Sequence, residues 1–166
     1  LDLYTIFNEC HTLNGLSVAI IGALDYGRTA RSLAYLLSKF DRVKLYFIAP
    51  DEMQIKQDIL DHLEEKNVWY QLSNTTQDIL NKVNVVYQTR IPREKLKNKE
   101  IDLTPFNIDS GSLQKMKYDS IIMHPLPRSV EINPTVDSDP RAAYFRQAHN
   151  GLYVRMALLT MLFDED

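Results

Sequence analysis

Between residues 15 and 124 the chain alternates short apolar runs, rich in β-branched and aromatic residues, with longer amphipathic segments. Runs at 16–21, 43–48, 68–72, 83–87 and 120–123 have the length and composition of strands. The second and fourth read as the most deeply buried and the third as the weakest. Between them, Leu33, Leu36 and Leu37 predict a helix over 29–40, and Ile55, Ile59, Leu60 and Leu63 predict one over 51–65. Thr75 and Asp78 have the spacing of a capping box and predict a short third helix through Ile79 and Leu80. A helical pattern at Leu1, Tyr4, Ile6 and Phe7 opens the chain, and the strongest late helix is predicted from about 142 to 163. Parallel strands joined by helices cross over right-handedly. The alternation therefore predicts an α/β fold: a three-layer α/β/α, doubly wound, mainly parallel five-stranded sheet of the Rossmann-like kind.

Length and composition bound the remainder. A chain of 166 residues, 45% hydrophobic and 25% charged, suits one domain with a real core. Residues 98–109 are the nearest thing to a linker and too short to divide domains, so 1–166 is expected to be a single unit. A net charge of -3 supplies no field for nucleic acid or an anionic membrane, and any anionic ligand must be held by locally placed arginines. The single cysteine, Cys10, excludes an internal disulfide and a thiolate metal cluster. Four scattered histidines offer no pair at metal-ligand spacing, so no metal is expected. No apolar run approaches the roughly 18 residues of a membrane-spanning helix, and nothing resembles a signal peptide. The chain begins at Leu1, already inside a helical pattern, which predicts a fragment, a processed chain or a designed boundary.

In doubly wound sheets ligands bind beyond the carboxyl ends of the strands, where the strand order reverses. The loops after the first, fourth and fifth predicted strands, 22–29, 88–95 and 124–131, each carry an arginine. The first runs from Gly22 to Gly27, Arg28 and Thr29 and falls one residue type short of a Walker A loop, with arginine where lysine belongs. It also places Leu24, Asp25 and Tyr26 where a phosphate cradle needs inward-facing amides, so a nucleotide site is not expected. Arg28 and Arg90 make a better pair, because each follows a buried strand and a guanidinium grips a carboxylate bidentately. Each alone reads equally as a solvated loop arginine; together they suit a dicarboxylate. The third loop, His124-Pro125-Leu126-Pro127-Arg128, holds two prolines that fix the backbone and leave the Pro125 and Leu126 carbonyls able to face a ligand. His124 reads as either a site residue or a buried hydrogen-bonding histidine, and Arg128 and Glu131 are placed to pair with each other.

Taken together, Tyr26-Gly27-Arg28-Thr29, Thr89-Arg90-Ile91, His124 through Arg128, and the stretch from Asp137 through Asn150 and Gly151 resemble the aspartate carbamoyltransferase family in order and spacing. The resemblance covers essentially the whole chain, but only the C-terminal, aspartate-binding half of the family's catalytic chain. The tail looks especially like the form in the multifunctional eukaryotic pyrimidine-synthesis protein. Ornithine carbamoyltransferases usually carry a cysteine where Pro125 stands, so the resemblance favours aspartate. It implies transfer of the carbamoyl group of carbamoyl phosphate to L-aspartate, without cofactor or metal, in pyrimidine biosynthesis. By the same resemblance Arg28 holds the α-carboxylate and Arg90 the β-carboxylate. The carbonyls of Pro125 and Leu126, beside Pro127, orient the carbamoyl and amino groups, His124, Arg128 and Glu131 support the loop, and the Leu126-Pro127 bond is cis.

The resemblance further implies a carbamoyl-phosphate-binding N-terminal domain that this chain lacks, a homotrimeric full enzyme and an inactive isolated chain. The location it implies is cytoplasmic, or organellar where a targeting segment has been removed. One departure stands out, since Pro92 occupies the position where the family normally has an aspartate-binding glutamine. It keeps open a rival reading of the chain as a non-catalytic family member or interaction module.

Overall fold

The computed structural model describes residues 1–92 and 102–163. Five strands, β1 (Ser17–Ile21), β2 (Lys44–Ile48), β3 (Trp69–Ser73), β4 (Val85–Gln88) and β5 (Ile121–Met123), form one sheet in the order β3-β2-β1-β4-β5. Every pairing is parallel. Five α-helices accompany them: α1 (Asp2–Cys10), α2 (Arg28–Leu37), α3 (Gln57–Glu65), α4 (Ser110–Lys115) and α5 (Tyr144–Phe163). The chain builds outward from β1 to β3, then returns to the other side of β1 with β4. The order therefore reverses between β1 and β4, which creates the crevice expected of this class.

Alternation along the strands sorts the core into two layers. Val18 and Ile20 of β1, Leu45 and Phe47 of β2, and Val85 and Tyr87 of β4 face α1, α2 and α3, where they meet Ile6, Leu33, Leu37, Ile59 and Leu63. Ala19, Ile21, Tyr46, Ile48, Val86 and Ile122 face the other way, onto Met53, Ile79, Leu80, Leu103, Phe106, Ile108, Ile132 and Val136. Among the described residues that second layer is made largely of turns and short 3₁₀ segments, joined by the six-residue α4 and by Tyr144 at the start of α5. β3 is one of the two edge strands and mostly exposed, in keeping with its weak pattern.

Two local expectations need correction. Thr75 and Asp78 form no capping box: the Thr75 hydroxyl accepts the Gln77 N–H at 3.1 Å, Asp78 adopts φ 60°, and the segment stays a turn. Ile79 and Leu80 are buried by it all the same. The second predicted helix starts later than 51, because the Met53 carbonyl accepts the N–H groups of Leu24 and Asp25, and Gln54 and Lys56 are extended. Residues 51–53 instead make a 3₁₀ turn that buttresses the loop after β1. A true capping box, in which Asp109 accepts the Ser112 N–H at 2.8 Å, starts α4, a helix too short to show a period in the sequence. Residues 93–95 of the loop after β4 and 98–101 of the expected linker lie outside the described residues. Among the described residues no helix is long and apolar enough to cross a membrane, and no cluster of three metal-ligating side chains occurs.

At the switch point the ends of β1 and β4 close on each other. The Thr89 N–H and hydroxyl both donate to the Ile21 carbonyl, at 2.7 and 2.9 Å. A Cβ on Gly22 would lie 2.0 Å from the Thr89 hydroxyl oxygen and 2.7 Å from its carbonyl oxygen, and Gly22 has φ 137°. Neither the space nor the backbone admits a side chain. Gly22→Ala is therefore expected to destabilise the fold by roughly 2–5 kcal/mol, the sum of overpacking and backbone strain, read as a lowered midpoint in urea unfolding.

Candidate functional site

Gly27 caps α2 with extended backbone and no side-chain cap, so the helix opens directly into the crevice with Arg28 on its first turn. Unpaired amides and the positive end of the helix dipole both favour an anion there. A cavity of about 530 Å³ lies in front of it. Arg28, Thr29, His124, Pro125 and Leu126 line this cavity together with Asp2 and Gln147. Arg28 and the double-proline loop, 96 residues apart in sequence by the difference of 124 and 28, thus share one wall-to-wall space. Arg90 is exposed immediately beyond β4 and is not among the lining residues. It follows β4, the direct neighbour of β1 in the sheet.

The double-proline loop is built around His124, which is 2% exposed. Its Nδ1 accepts the Leu126 N–H at 2.8 Å, and its Nε2 lies 3.0 Å from Glu131 Oε1. A ring nitrogen that accepts a main-chain N–H carries no proton, so His124 is the neutral Nε2–H tautomer donating to Glu131. Glu131 also accepts the Ser129 N–H at 2.9 Å, which ties the far end of the loop to the same ring. Leu126 sits at φ 49° and its bond to Pro127 is cis, as the resemblance implies. Of the two readings of His124, the buried hydrogen-bonding one describes its contacts, and through them it shapes the cavity wall.

Arg128 and Glu131 do not pair with each other. Arg128 turns outward to the Asp137 carboxylate and the Ile132 carbonyl, while Glu131, 3% exposed, turns inward to His124. The two lie on opposite sides of the loop backbone, which sequence adjacency does not reveal. Asp137 also accepts the buried Tyr144 hydroxyl at 2.5 Å, and burial followed by Asp137 raises the Tyr144 phenol far above its usual range. Burial alone would raise the Glu131 carboxyl, but the hydrogen bonds from His124 and Ser129 outweigh it and hold it below the usual value. Cys10 is no nucleophile: burial first, then the charges of Glu9 and Asp119, push its thiol up to about 11.

Sequence reading missed three residues of this site. Gln147, 2% exposed, accepts the His124 N–H through Oε1 at 2.9 Å and donates through Nε2 to Asp2 Oδ1 at 2.9 Å. Asp2 Oδ2 accepts the hydroxyl of the fully buried Tyr87 at 2.9 Å. Polar residues at otherwise apolar helix positions are the only signal the sequence carries for such ties.

An all-parallel open sheet whose switch-point crevice joins an arginine at a helix N-terminus to a cis-proline loop defines a binding domain of an α/β enzyme for a small anionic ligand. Comparison with known proteins names the family. Residues 14–162 match the model of the aspartate/ornithine carbamoyltransferase Asp/Orn-binding domain. The chain is 50% identical over 167 aligned positions to the chloroplastic aspartate carbamoyltransferase of Arabidopsis thaliana, covering 98% of this chain and 43% of that protein. It is 42% identical to the multifunctional protein pyr1-3 of Dictyostelium discoideum, covering 98% of this chain and 7% of that protein. Among solved structures, the catalytic subunit of M. jannaschii aspartate transcarbamoylase superposes with a TM-score of 0.93 at 38% identity, covering 99% of this chain and 54% of that one. The Trypanosoma cruzi enzyme in complex with carbamoyl phosphate and aspartate gives 0.89 at 36% identity, covering 95% and 52%.

The chain belongs to the aspartate/ornithine carbamoyltransferase family and forms its amino-acid-binding domain, on the aspartate side of that family. It spans less than half the length of the plant relatives it matches.

The Glu131 carboxylate gives a pH test of the loop. Its folded value is lowered, so its contribution to stability is fully present above the usual glutamate value and is lost as pH falls through the lower folded one. Glu131→Gln keeps an acceptor for His124 and Ser129 but cannot titrate. Its stability, measured by urea unfolding across the acid range, is expected to fall less steeply with decreasing pH than that of the unsubstituted protein.

Proposed function

We propose that this chain supplies the aspartate-binding side of an aspartate carbamoyltransferase, which converts carbamoyl phosphate and L-aspartate to N-carbamoyl-L-aspartate and phosphate in pyrimidine biosynthesis. The observation that carries the reading is that Arg28 and the Pro125 and Leu126 loop line one cavity at the switch point. Arg28 holds the α-carboxylate there, and Arg90, in the loop after β4, holds the β-carboxylate. The carbonyls of Pro125 and Leu126 accept hydrogen bonds from the amino group and from the carbamoyl NH₂, aiming the nitrogen lone pair at the carbamoyl carbon. The C–N bond forms as the bond from that carbon to the phosphate oxygen breaks, and the amine proton leaves with the departing phosphate. Positioning and electrostatics are sufficient for such a step, and no covalent nucleophile takes part.

The phosphate falls to a second, carbamoyl-phosphate-binding domain in this proposal. Two observations support it. The relatives are about twice as long or longer, and α5 exposes Met156, Leu159, Met161, Leu162 and Phe163, the last at 81%. An apolar helix face of that kind suits packing against a further domain. The homotrimer implied for the full enzyme belongs to the same proposal and is read by the mass of the full-length protein in solution. An organellar location draws support from plant relatives that are named chloroplastic.

The test is a carbamoylation assay. Turnover is expected from the full-length enzyme and none from residues 1–166 alone; appreciable turnover by this chain alone overturns the division of labour. Arg28→Ala in the full-length enzyme is expected to lower kcat/KM for aspartate by roughly 100-fold or more, the scale of a lost charge-assisted pair. Pro92 favours one rival, a non-catalytic family member, because it puts a ring where an amide side chain is expected. Calorimetry with a bisubstrate analogue bearing both aspartate-like carboxylates separates the two: a folded full-length protein that does not bind it supports the rival.

A further inference from the structure

Asp2 stands on the first turn of α1, the usual place for an acidic residue that complements a helix dipole. That local role does not account for its contacts. Each of its carboxylate oxygens is taken by a different distant element. Oδ2 accepts the Tyr87 hydroxyl from β4 at 2.9 Å, and Oδ1 accepts the Gln147 amide from α5 at 2.9 Å. Tyr87 lies on β4, three positions before Arg90 in the loop that follows this strand. Gln147 in turn accepts the His124 N–H, and His124 accepts the Leu126 N–H. One carboxylate therefore stands between the arginine-bearing strand and the carbonyl-bearing loop.

The polarity of this chain of bonds has only one solution. A main-chain N–H only donates and a carboxylate only accepts, so the Gln147 amide must present oxygen to His124 and NH₂ to Asp2. Remove the carboxylate and the Gln147 NH₂ loses its acceptor, at a residue only 2% exposed, leaving the His124 N–H as its remaining tie in this chain of bonds. The Tyr87 hydroxyl, on a fully buried ring, loses the same acceptor. Other bonds join α1 to α5, namely the Asn150 amide to the Thr5 hydroxyl at 3.1 Å and Arg146 to Glu9 at 2.7 and 2.8 Å, but none of them touches β4 or the loop. Asp2 alone among these connects both.

We infer that Asp2 is a positioning residue for the site: through Tyr87 and through Gln147 and His124 it sets the strand that carries Arg90 and the carbonyls of Pro125 and Leu126 relative to each other. The inference rests on the carbamoyl-transfer reading for its kinetic consequence and on geometry alone for its structural one. In the full-length enzyme, Asp2→Ala is expected to lower kcat by roughly 10- to 100-fold, the scale of a misplaced reacting pair. Asp2→Asn keeps an acceptor for Gln147 and a polar neighbour for Tyr87, and is expected to restore most of that loss. Asp2→Ala combined with Gln147→Leu should cost less than the two single losses added together, because they share the path to the loop and only the tie to Tyr87 is cut by Asp2→Ala alone. Should Asp2→Ala fail to fold, Tyr87→Phe removes a single hydroxyl from the same tie and is expected to lower kcat with the melting temperature little changed. An Asp2→Ala or Tyr87→Phe enzyme that loses thermal stability but keeps wild-type kcat and aspartate KM overturns the inference.

Amide NMR of the same proteins separates this outcome from failure of the functional reading. Asp2→Ala is expected to shift the His124 and Leu126 amide resonances, and Glu9→Ala, which breaks only an α1 to α5 ion pair, is expected to leave them in place. A wild-type enzyme without turnover sinks the carbamoyl-transfer reading, while unmoved His124 and Leu126 amides in Asp2→Ala sink the positioning role.

Discussion

The closure of β1 on β4 at Gly22 and Thr89 is the constraint on which the rest of this molecule depends. Thr89 donates twice to the Ile21 carbonyl, and Gly22 leaves no room for a side chain between the two strand ends. The strands that meet there lead in opposite directions through the sheet, β1 towards β2 and β3, β4 towards β5. A crevice at that junction is a topological consequence, not an added feature. Tightening it fixes where α2 begins, and hence Arg28, and where β4 ends, and hence Arg90.

The third wall depends on a different kind of interaction. Two prolines remove main-chain donors from residues 124–128 and prevent a regular strand, but they do not by themselves choose a conformation. A buried neutral imidazole does, accepting from Leu126 and donating to a carboxylate that also collects the Ser129 N–H. Burial makes this arrangement stringent, since each unmet donor or acceptor at such depth costs about 1–3 kcal/mol. The loop is thus held from inside by side chains rather than by backbone pairing.

Much of this was legible beforehand. The five apolar runs became five strands within a residue or two of their predicted bounds, because a buried parallel strand leaves a local signature of β-branched and aromatic residues. Arg28 and the proline loop, which line one cavity, were legible for a similar reason, as charged or rigid residues directly after such runs, whereas Arg90 is not among the residues lining it. The failures were of another kind. The helix expected at Thr75 gave way to side-chain turns at Ser73 and Thr75. The expected Arg128 to Glu131 pair separated because the loop backbone sends one residue to Asp137 and the other into the core. Both errors came from judging neighbours in sequence without knowing which side of the backbone faced the interior.

The sequence by itself determined the class of fold, the position of the switch point and the residues that face it, since hydrophobic period, proline and glycine act on the chain locally. Only the tertiary structure decided how those residues are held. The Asp2 to Tyr87 and Asp2 to Gln147 bonds join residues 85 and 145 positions apart, and no pattern along the chain encodes them. They exist because packing α1 and α5 against β4 and the loop after β5 buries polar groups that must find partners in the interior, and the partners available there are the ones folding has brought within reach.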